Sequence, residues 1–155
     1  RGEMTREEAS MQAIRAWAQA NPDRVAALLD ANASYVFFRE LAPPAPGSPG
    51  AAIDGPTGAL GVPLLPRRTI AVDPRAIPLG TPVWLATTEP PSARPLERMV
   101  VAQDTGGAIR GAVRADFFFG HGDEAAERAG RMREQGRLWL IWPRGVPLPQ
   151  HQAMQ

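Results

Sequence analysis

The sequence contains no cysteine, no lysine and only two histidines in 155 residues. Without cysteine there can be no disulfide, no thiol nucleophile and no cysteine-ligated zinc or iron–sulfur site. Because histidine is scarce, histidine-dependent catalysis has few candidates. No apolar run approaches the ~18 residues that cross a bilayer. The carboxylates therefore remain as the main acid and base groups of the chain.

An excess of charge of one sign is also missing. The 17 arginines nearly balance 16 acidic residues, which leaves a formal net charge of +1. Since no basic run concentrates this charge, we expect no nucleic-acid partner. The hydrophobic content of 44% is enough for one core. Because the chain opens on Arg1, we expect a fragment or processed chain whose targeting signal lies upstream.

The first part of the chain, residues 1–33, predicts two helices. Thr5 and Glu8 form a capping-box pattern that opens the first helix. Asn21 followed by Pro22 ends this helix and begins the second one. Both helices carry an apolar stripe at helical spacing, which is typical of a face that packs against a core or a partner.

Downstream, short apolar runs separated by proline and glycine predict strands. The predicted strands cover residues 34–40, 68–73, 81–86, 98–104, 112–120 and 137–142. A third helix over 123–135, stopped by Gly136, bridges the last two strands. Because the strands are nearly continuously hydrophobic, we expect a mainly β domain over 34–149 that closes into a small barrel with flanking helices. A Pro/Gly-rich surface loop fills 42–58, and residues 150–155 form a tail.

Two aspartates follow predicted strands directly. Asp73 precedes Pro74, and an aspartate there commonly accepts backbone N–H groups in a turn. Asp104 leads into a glycine pair at 106–107, where the backbone can approach a sugar ring or another chain closely. Asp104 therefore indicates a functional loop, although its side chain can also serve to hold that loop.

A third aspartate, Asp116, lies inside a predicted strand next to Phe117. Partial burial beside phenylalanine raises the pKa of a carboxyl group, and a general acid needs a raised pKa at neutral pH. The alternative is a solvent-facing aspartate on an edge strand. Because a guanidinium nearby would oppose such a shift, we expect Arg110 and Arg114 to point elsewhere or to grip substrate.

These segments resemble the 3D domain, which is named for three aspartates. The resemblance rests on three motifs, namely Asp73-Pro74 with Ile77-Pro78-Leu79-Gly80, Ala102-Gln103-Asp104-Thr105-Gly106-Gly107-Ala108-Ile109-Arg110-Gly111, and Asp116-Phe117-Phe118-Phe119-Gly120. Further matches at 10–15, 34–38, 61–64 and 122–125 narrow the resemblance to the membrane-bound lytic murein transglycosylase A family.

The resemblance implies a six-stranded double-psi β-barrel that cleaves the β-1,4 bond between N-acetylmuramic acid and N-acetylglucosamine in peptidoglycan, leaving a 1,6-anhydro end. It places the catalytic acid and base on Asp116, and the family's other two aspartates on Asp104 and Asp73. We expect substrate contacts from neighbouring loop and strand residues, namely Thr105, Gly106, Gly107, Arg114 and Phe117.

The resemblance also implies partners and a location. It implies no metal and no organic cofactor, and a glycan groove shared with a second β domain encoded upstream of this chain. The resemblance implies a periplasmic location and association with the outer membrane through a lipid anchor, which we expect to lie outside this chain. We expect the protein to be a monomer.

Three other functions stay open. Asp116 and Asp104 can act as separate acid and base of an inverting hydrolase, with their carboxyl groups ~6.5–9.5 Å apart. A wall-binding barrel without catalysis needs neither. Asp104 with Thr105 and Gly106 also matches the Asp-Thr-Gly motif of dimeric aspartic proteases, although Gly107 departs from the usual pattern of that class.

Overall fold

The structure is a computed structural model that describes residues 5, 10–34, 37, 40, 42, 45–48, 51–53 and 55–147. Several predicted features lie wholly or partly outside these residues: Glu8 of the capping box, most of the strand over 34–40, parts of the loop over 42–58, and the tail over 150–155. Across the described ranges, no helix is long and apolar enough to cross a membrane. The chain divides into two compact units, Arg1–Ala42 and Pro43–Gln155.

The first unit contains α1 (Met11–Ala20), a 3-10 turn (Pro22–Arg24) and α2 (Val25–Asp30). The predicted pair of helices is confirmed, but the first begins later than Thr5. Ser10 caps its N-terminus, because the Ser10 hydroxyl accepts the Ala13 N–H at 3.1 Å. Asn21 ends α1 by donating its side-chain amide to the Trp17 carbonyl at 2.9 Å.

The second unit contains β1 (Thr69–Val72), β2 (Pro82–Glu89), β3 (Arg94–Asp104), β4 (Ala115–Phe117), α3 (Asp123–Arg131) and β5 (Arg137–Leu140). These strands confirm five of the predicted strands, with adjusted ends. They form one sheet in the order β4-β1-β3-β2-β5, in which only β1 and β3 run parallel. Since β4 and β5 are edges, the described sheet is open, and the predicted mainly β class is confirmed without a closed barrel.

Alternation along the strands separates a buried inner face from an outer face. The core on the inner face consists of Ile70, Val72, Ile77, Val83, Leu85, Leu96, Val100 and Ala102. On the outer face, Trp84 of β2 pairs directly with Trp139 of β5, and both side chains are exposed. The outer face of this sheet is therefore accessible along β2 and β5 in the second unit.

The third helix is shorter than predicted. It ends at Arg131, and Met132 already has an extended backbone. The chain beyond the helix contacts β2, where the Thr87 hydroxyl donates to the Gln135 carbonyl at 2.8 Å. Gly136 does not stop the helix; a Cβ there would lie 2.9 Å from a backbone oxygen of β2, so glycine permits the close approach.

An ionic cluster ties α3 to the end of β2. The Glu89 carboxylate accepts two hydrogen bonds from Arg67, at 2.8 and 3.1 Å, and also binds Arg128 of α3. Arg128 in turn binds Glu124 at 2.6 Å. The hydrogen bonds from Arg67 outweigh burial and, with those from Arg128, lower the pKa of Glu89 to about 2.

Candidate active site

The sheet brings Asp104 and Asp116 onto one face. β1 lies between β3 and β4, and Ala71 of β1 pairs with Asp104 on one side and with Asp116 on the other. Paired residues on neighbouring strands point to the same face, so the two carboxylates flank the small Ala71 side chain. Two strand spacings place their Cα atoms roughly 10 Å apart. We call Asp104, Ala71 and Asp116 the carboxylate row.

A β-bulge creates this row. The register between β1 and β3 shifts just before Ala71 and leaves Gln103 as an extra residue. With regular pairing, Asp104 would lie opposite Val72, which is fully buried in the core. The bulge therefore turns Asp104 from the core face to the accessible face, a common use of bulges beside functional sites.

Asp116 is more exposed than the sequence predicts. Its strand, β4, is an edge of the sheet, and its side chain is 49% exposed. The expected partial burial beside an aromatic wall is wrong because alternation points Phe117 to the inner face, where it packs edge-to-face on Phe119 at 4.9 Å. Asp116 is the solvent-facing aspartate of the alternative interpretation.

Arg114 does not point away from the aspartates, which was the first of its two expected roles; the second, that it grips substrate, stays a prediction. Its Nε and Nη2 donate to the two Asp116 carboxylate oxygens at 3.0 and 3.2 Å, and its Nη1 donates to the Ala108 carbonyl at 2.7 Å. In extended backbone, residues two apart lie on the same side, which brings the two side chains together. Hydrogen bonding to Asp116 raises the pKa of Arg114. Arg110 is exposed.

Asp104 supports a loop that the sequence did not connect with it. The loop over 57–63 is closed by a bridge between Thr57 and Pro63, and the Ala59 N–H donates to the Asp104 carboxylate at 3.0 Å. A Cβ at Gly58 would lie 2.7 Å from the Gln103 carbonyl oxygen. The available signal was Gly58 itself, because such a close approach of two backbones requires glycine.

Asp73 is buried and saturated with hydrogen bonds. Its side chain is 3% exposed and accepts Nε and Nη2 of Arg75, at 3.0 and 2.7 Å, as well as the backbone N–H groups of Arg75 and Gly111, at 3.1 and 2.9 Å. The Arg75 side chain and then the Gly111 N–H hold the pKa of Asp73 well below its usual range, although burial opposes them. Asp73 thereby fixes the far end of the β3–β4 loop.

The glycine loop after Asp104 is anchored from its middle. Thr105 and Gly106 are half-buried and Gly107 is exposed. The Ile109 N–H donates to the Gly106 carbonyl at 2.9 Å, and the Ile109 side chain is buried. The predicted substrate-contact residues of this loop therefore lie beside the carboxylate row in a fixed turn.

A cavity lies on the opposite, inner face of the sheet. Apolar and polar residues line it, including Ile70, Leu85, Phe117, Met132, Glu134 and Leu138. The carboxylate row is not part of this lining. Among the described residues, no group of three histidine or acidic side chains is placed to hold a metal ion. The carboxylate row and this cavity therefore lie on opposite faces of the sheet.

Two family models match the chain. The 3D domain matches residues 68–142, and the MltA specific insert domain matches residues 1–39. The curated membrane-bound lytic murein transglycosylase A of Escherichia coli (strain K12) is 37% identical over 147 residues, covering 91% of this chain and 37% of that protein. The chain thus spans well under half the length of the curated relatives it matches.

Solved structures are similar as well. The lytic transglycosylase LtgG of Burkholderia pseudomallei is 57% identical with a TM-score of 0.59, over 92% of this chain and 40% of that one. MltA from Neisseria gonorrhoeae is 44% identical with a TM-score of 0.77, over 93% and 34%. Escherichia coli MltA with bound chitohexaose is 34% identical with a TM-score of 0.67, over 84% and 38%.

Proposed function

Because the chain belongs to the membrane-bound lytic murein transglycosylase A family, we propose that it carries the catalytic acids of a lytic transglycosylase. The substrate is the murein glycan strand, cut at the β-1,4 bond between N-acetylmuramic acid and N-acetylglucosamine. The observation that supports this most is the carboxylate row, because it places two acids on one accessible sheet face. The bound chitohexaose of a relative supports an oligosaccharide as the ligand.

Asp116 acts twice in the proposed reaction. As an acid it gives its proton to the glycosidic oxygen while the bond from that oxygen to C1 of the muramoyl sugar breaks. The resulting carboxylate then takes the proton of the C6 hydroxyl, whose oxygen attacks C1 and closes the 1,6-anhydro ring. No water is consumed, and Asp116 ends protonated as it began. Its half-exposed position on an edge strand supports direct access to a sugar.

Asp104 stabilises the positive charge that develops at C1. The oxocarbenium-like transition state is favoured by fixed electron-rich groups aimed at it. Within the described part of the chain, one hydrogen bond reaches the Asp104 carboxylate, from Ala59. Backbone carbonyls at Gly106 and Gly107 lie in the adjoining turn and assist. Asp73 does not touch the sugar in this proposal; it positions the loop through Gly111.

The setting of the chain is part of the proposal. We infer that the open edges at β4 and β5 belong to a six-stranded double-psi barrel that further strands complete in the whole protein. The whole protein acts in the periplasm at the outer membrane, where peptidoglycan is the partner.

Mass spectrometry of murein digested by the full-length protein tests the function. The proposal predicts products that end in 1,6-anhydro sugars, each lighter by one water than a reducing end. An inverting hydrolase is the second candidate, because the roughly 10 Å Cα spacing of the carboxylate row leaves room for a water between the acids. Reducing ends would favour that hydrolase, and binding without any released fragment would favour a wall-binding barrel.

A further inference from the structure

Arg114 binds the Asp116 carboxyl group, which must act as the acid in the proposed reaction. Its guanidinium binds both oxygens of the Asp116 carboxylate. A general acid has to present a protonated oxygen to the glycosidic oxygen of the substrate. Arg114 must therefore release at least one Asp116 oxygen when the glycan binds productively.

The released guanidinium stays at the site. Its Nη1 is held by the Ala108 carbonyl at 2.7 Å, and the side chain is 48% exposed, within reach of a ligand on the outer face. Under a bound glycan, each guanidinium nitrogen released from Asp116 would lose both its acceptor and its water. A desolvated cation without a partner is strongly unfavourable, so a productive substrate has to bring an oxygen acceptor of its own.

We propose, building on the function above, that Arg114 is a specificity-determining residue for peptide-free glycan strands: it exchanges Asp116 for the lactyl carboxylate of N-acetylmuramic acid, which is free where the peptide has been removed. A guanidinium binds a carboxylate through two parallel hydrogen bonds, as it binds Asp116 in the free protein. The lactyl arm is what distinguishes this sugar from N-acetylglucosamine, and it belongs to the same sugar whose C1 reacts.

Local charges favour the same exchange. With Asp116 protonated for catalysis, the Asp104 carboxylate would still repel an anionic sugar substituent. Arg75 is engaged by buried Asp73, whereas Arg114 is half exposed beside Asp116. Arg114 can thus offset this repulsion by binding the anionic substituent. When its guanidinium moves to the substituent, it releases Asp116.

The test combines a change in the protein with a change in the substrate. Two murein substrates are compared, both stripped of peptides by an amidase. Intact strands keep their lactyl carboxylates, and reduced strands have these carboxyls converted to alcohols. We expect Arg114→Gln in the full-length protein to lower kcat/KM on intact strands about ten- to hundredfold, mainly through KM. Reducing the strands should cost the unmodified protein a similar factor. The two changes together should cost no more than either alone.

Two further variants complete the design. Arg133→Gln removes the same charge from an exposed position after α3 and should keep the unmodified preference for intact strands. Arg114→Lys keeps the charge without the two-pronged geometry and should recover part of the preference. If Arg114→Gln does not fold, judged by circular dichroism, the comparison of Arg114→Lys with the unmodified protein on both strands still decides.

Equal cleavage of intact and reduced strands by the unmodified protein would overturn the proposal, and so would losses that multiply when the two changes are combined. The absence of anhydro ends from intact strands with the unmodified protein would instead overturn the proposed function itself. The two failures are therefore distinguishable in one data set.

Discussion

Two aspartate–arginine pairs in this domain have the same residue types and the same separation of two positions, yet they differ in burial. The Asp73 side chain is 3% exposed and is bound by Arg75 and by the Gly111 N–H. The Asp116 side chain is 49% exposed, and its partner within the described residues is Arg114. A carboxylate saturated in the interior can only hold its neighbours in place. One that is open to solvent can exchange partners during a reaction.

The largest expected effect separates the two aspartates by activity. Asp116→Asn keeps the side-chain shape and removes the proton donor, so turnover by the full-length protein should fall about 10³-fold or more. Because the side chain is half exposed, unfolding by urea should be nearly unchanged. Anhydro-end release by mass spectrometry gives the rate. Normal activity in this variant would reject Asp116 as the acid.

The converse change acts on stability. Asp73→Ala removes the acceptor of Arg75 and of the Gly111 N–H, so we expect Tm to fall by about 5–10 °C. Asp116→Ala is the matched control, because it also removes an arginine partner but at a half-exposed position, and its Tm should change far less. Equal shifts in calorimetry would contradict the assignment of Asp73 as the anchor.

Part of the fold and of the candidate site could be predicted from local signals in the sequence. Apolar runs bounded by proline and glycine locate five strands, and aspartates at the end of a strand or inside it identify Asp104 and Asp116, respectively. Both signals are local, since they depend on backbone preferences and on period-two burial. The residues of the candidate site could be proposed in this way, and the family resemblance named the same residues; their roles stay predictions.

What could not be predicted depends on register and on distant partners. The bulge at Gln103 decides which face Asp104 occupies, and a shift of one residue would reverse it. The side chain of Phe117 points to the inner face because of the register of β4, in which residues alternate between the two faces of the sheet. The contact between Ala59 and Asp104 spans 45 positions, and no local pattern encodes the pairing of Arg67 with Glu89.

Glu89 provides an intermediate case, because it is mostly buried and binds two arginines. Its folded pKa of about 2 lies below the ordinary 4.5, so its stabilising effect is present above about pH 4.5 and is lost as the pH falls toward 2. The contribution is on the order of 2 kcal/mol. Glu89→Gln should lower the free energy of unfolding by about that amount at pH 7 and flatten its dependence on pH between 4.5 and 2.

Urea unfolding at several pH values measures this effect. Glu127→Gln is a suitable control, because Glu127 forms an exposed pair with Arg131 one helical turn away, and such pairs contribute little. If the two variants lose stability equally at pH 7, then burial does not distinguish the arginine pairs of this domain.

The smallest expected effect tests the backbone that Asp73 holds. Gly111 has a φ of +86°, and a Cβ there would meet no neighbouring atom, so Gly111→Ala introduces backbone strain without a clash and should cost about 1 kcal/mol. Gly107→Ala in the same loop meets no neighbour and has no positive φ, so its cost in stability should be smaller. Hydrogen exchange of the amide at position 111 reports whether its bond to Asp73 survives. Since a strained loop and a missing anchor weaken the same contact, combining Gly111→Ala with Asp73→Ala should destabilise the domain by less than the sum of the two; additive losses would show that the loop does not depend on Asp73.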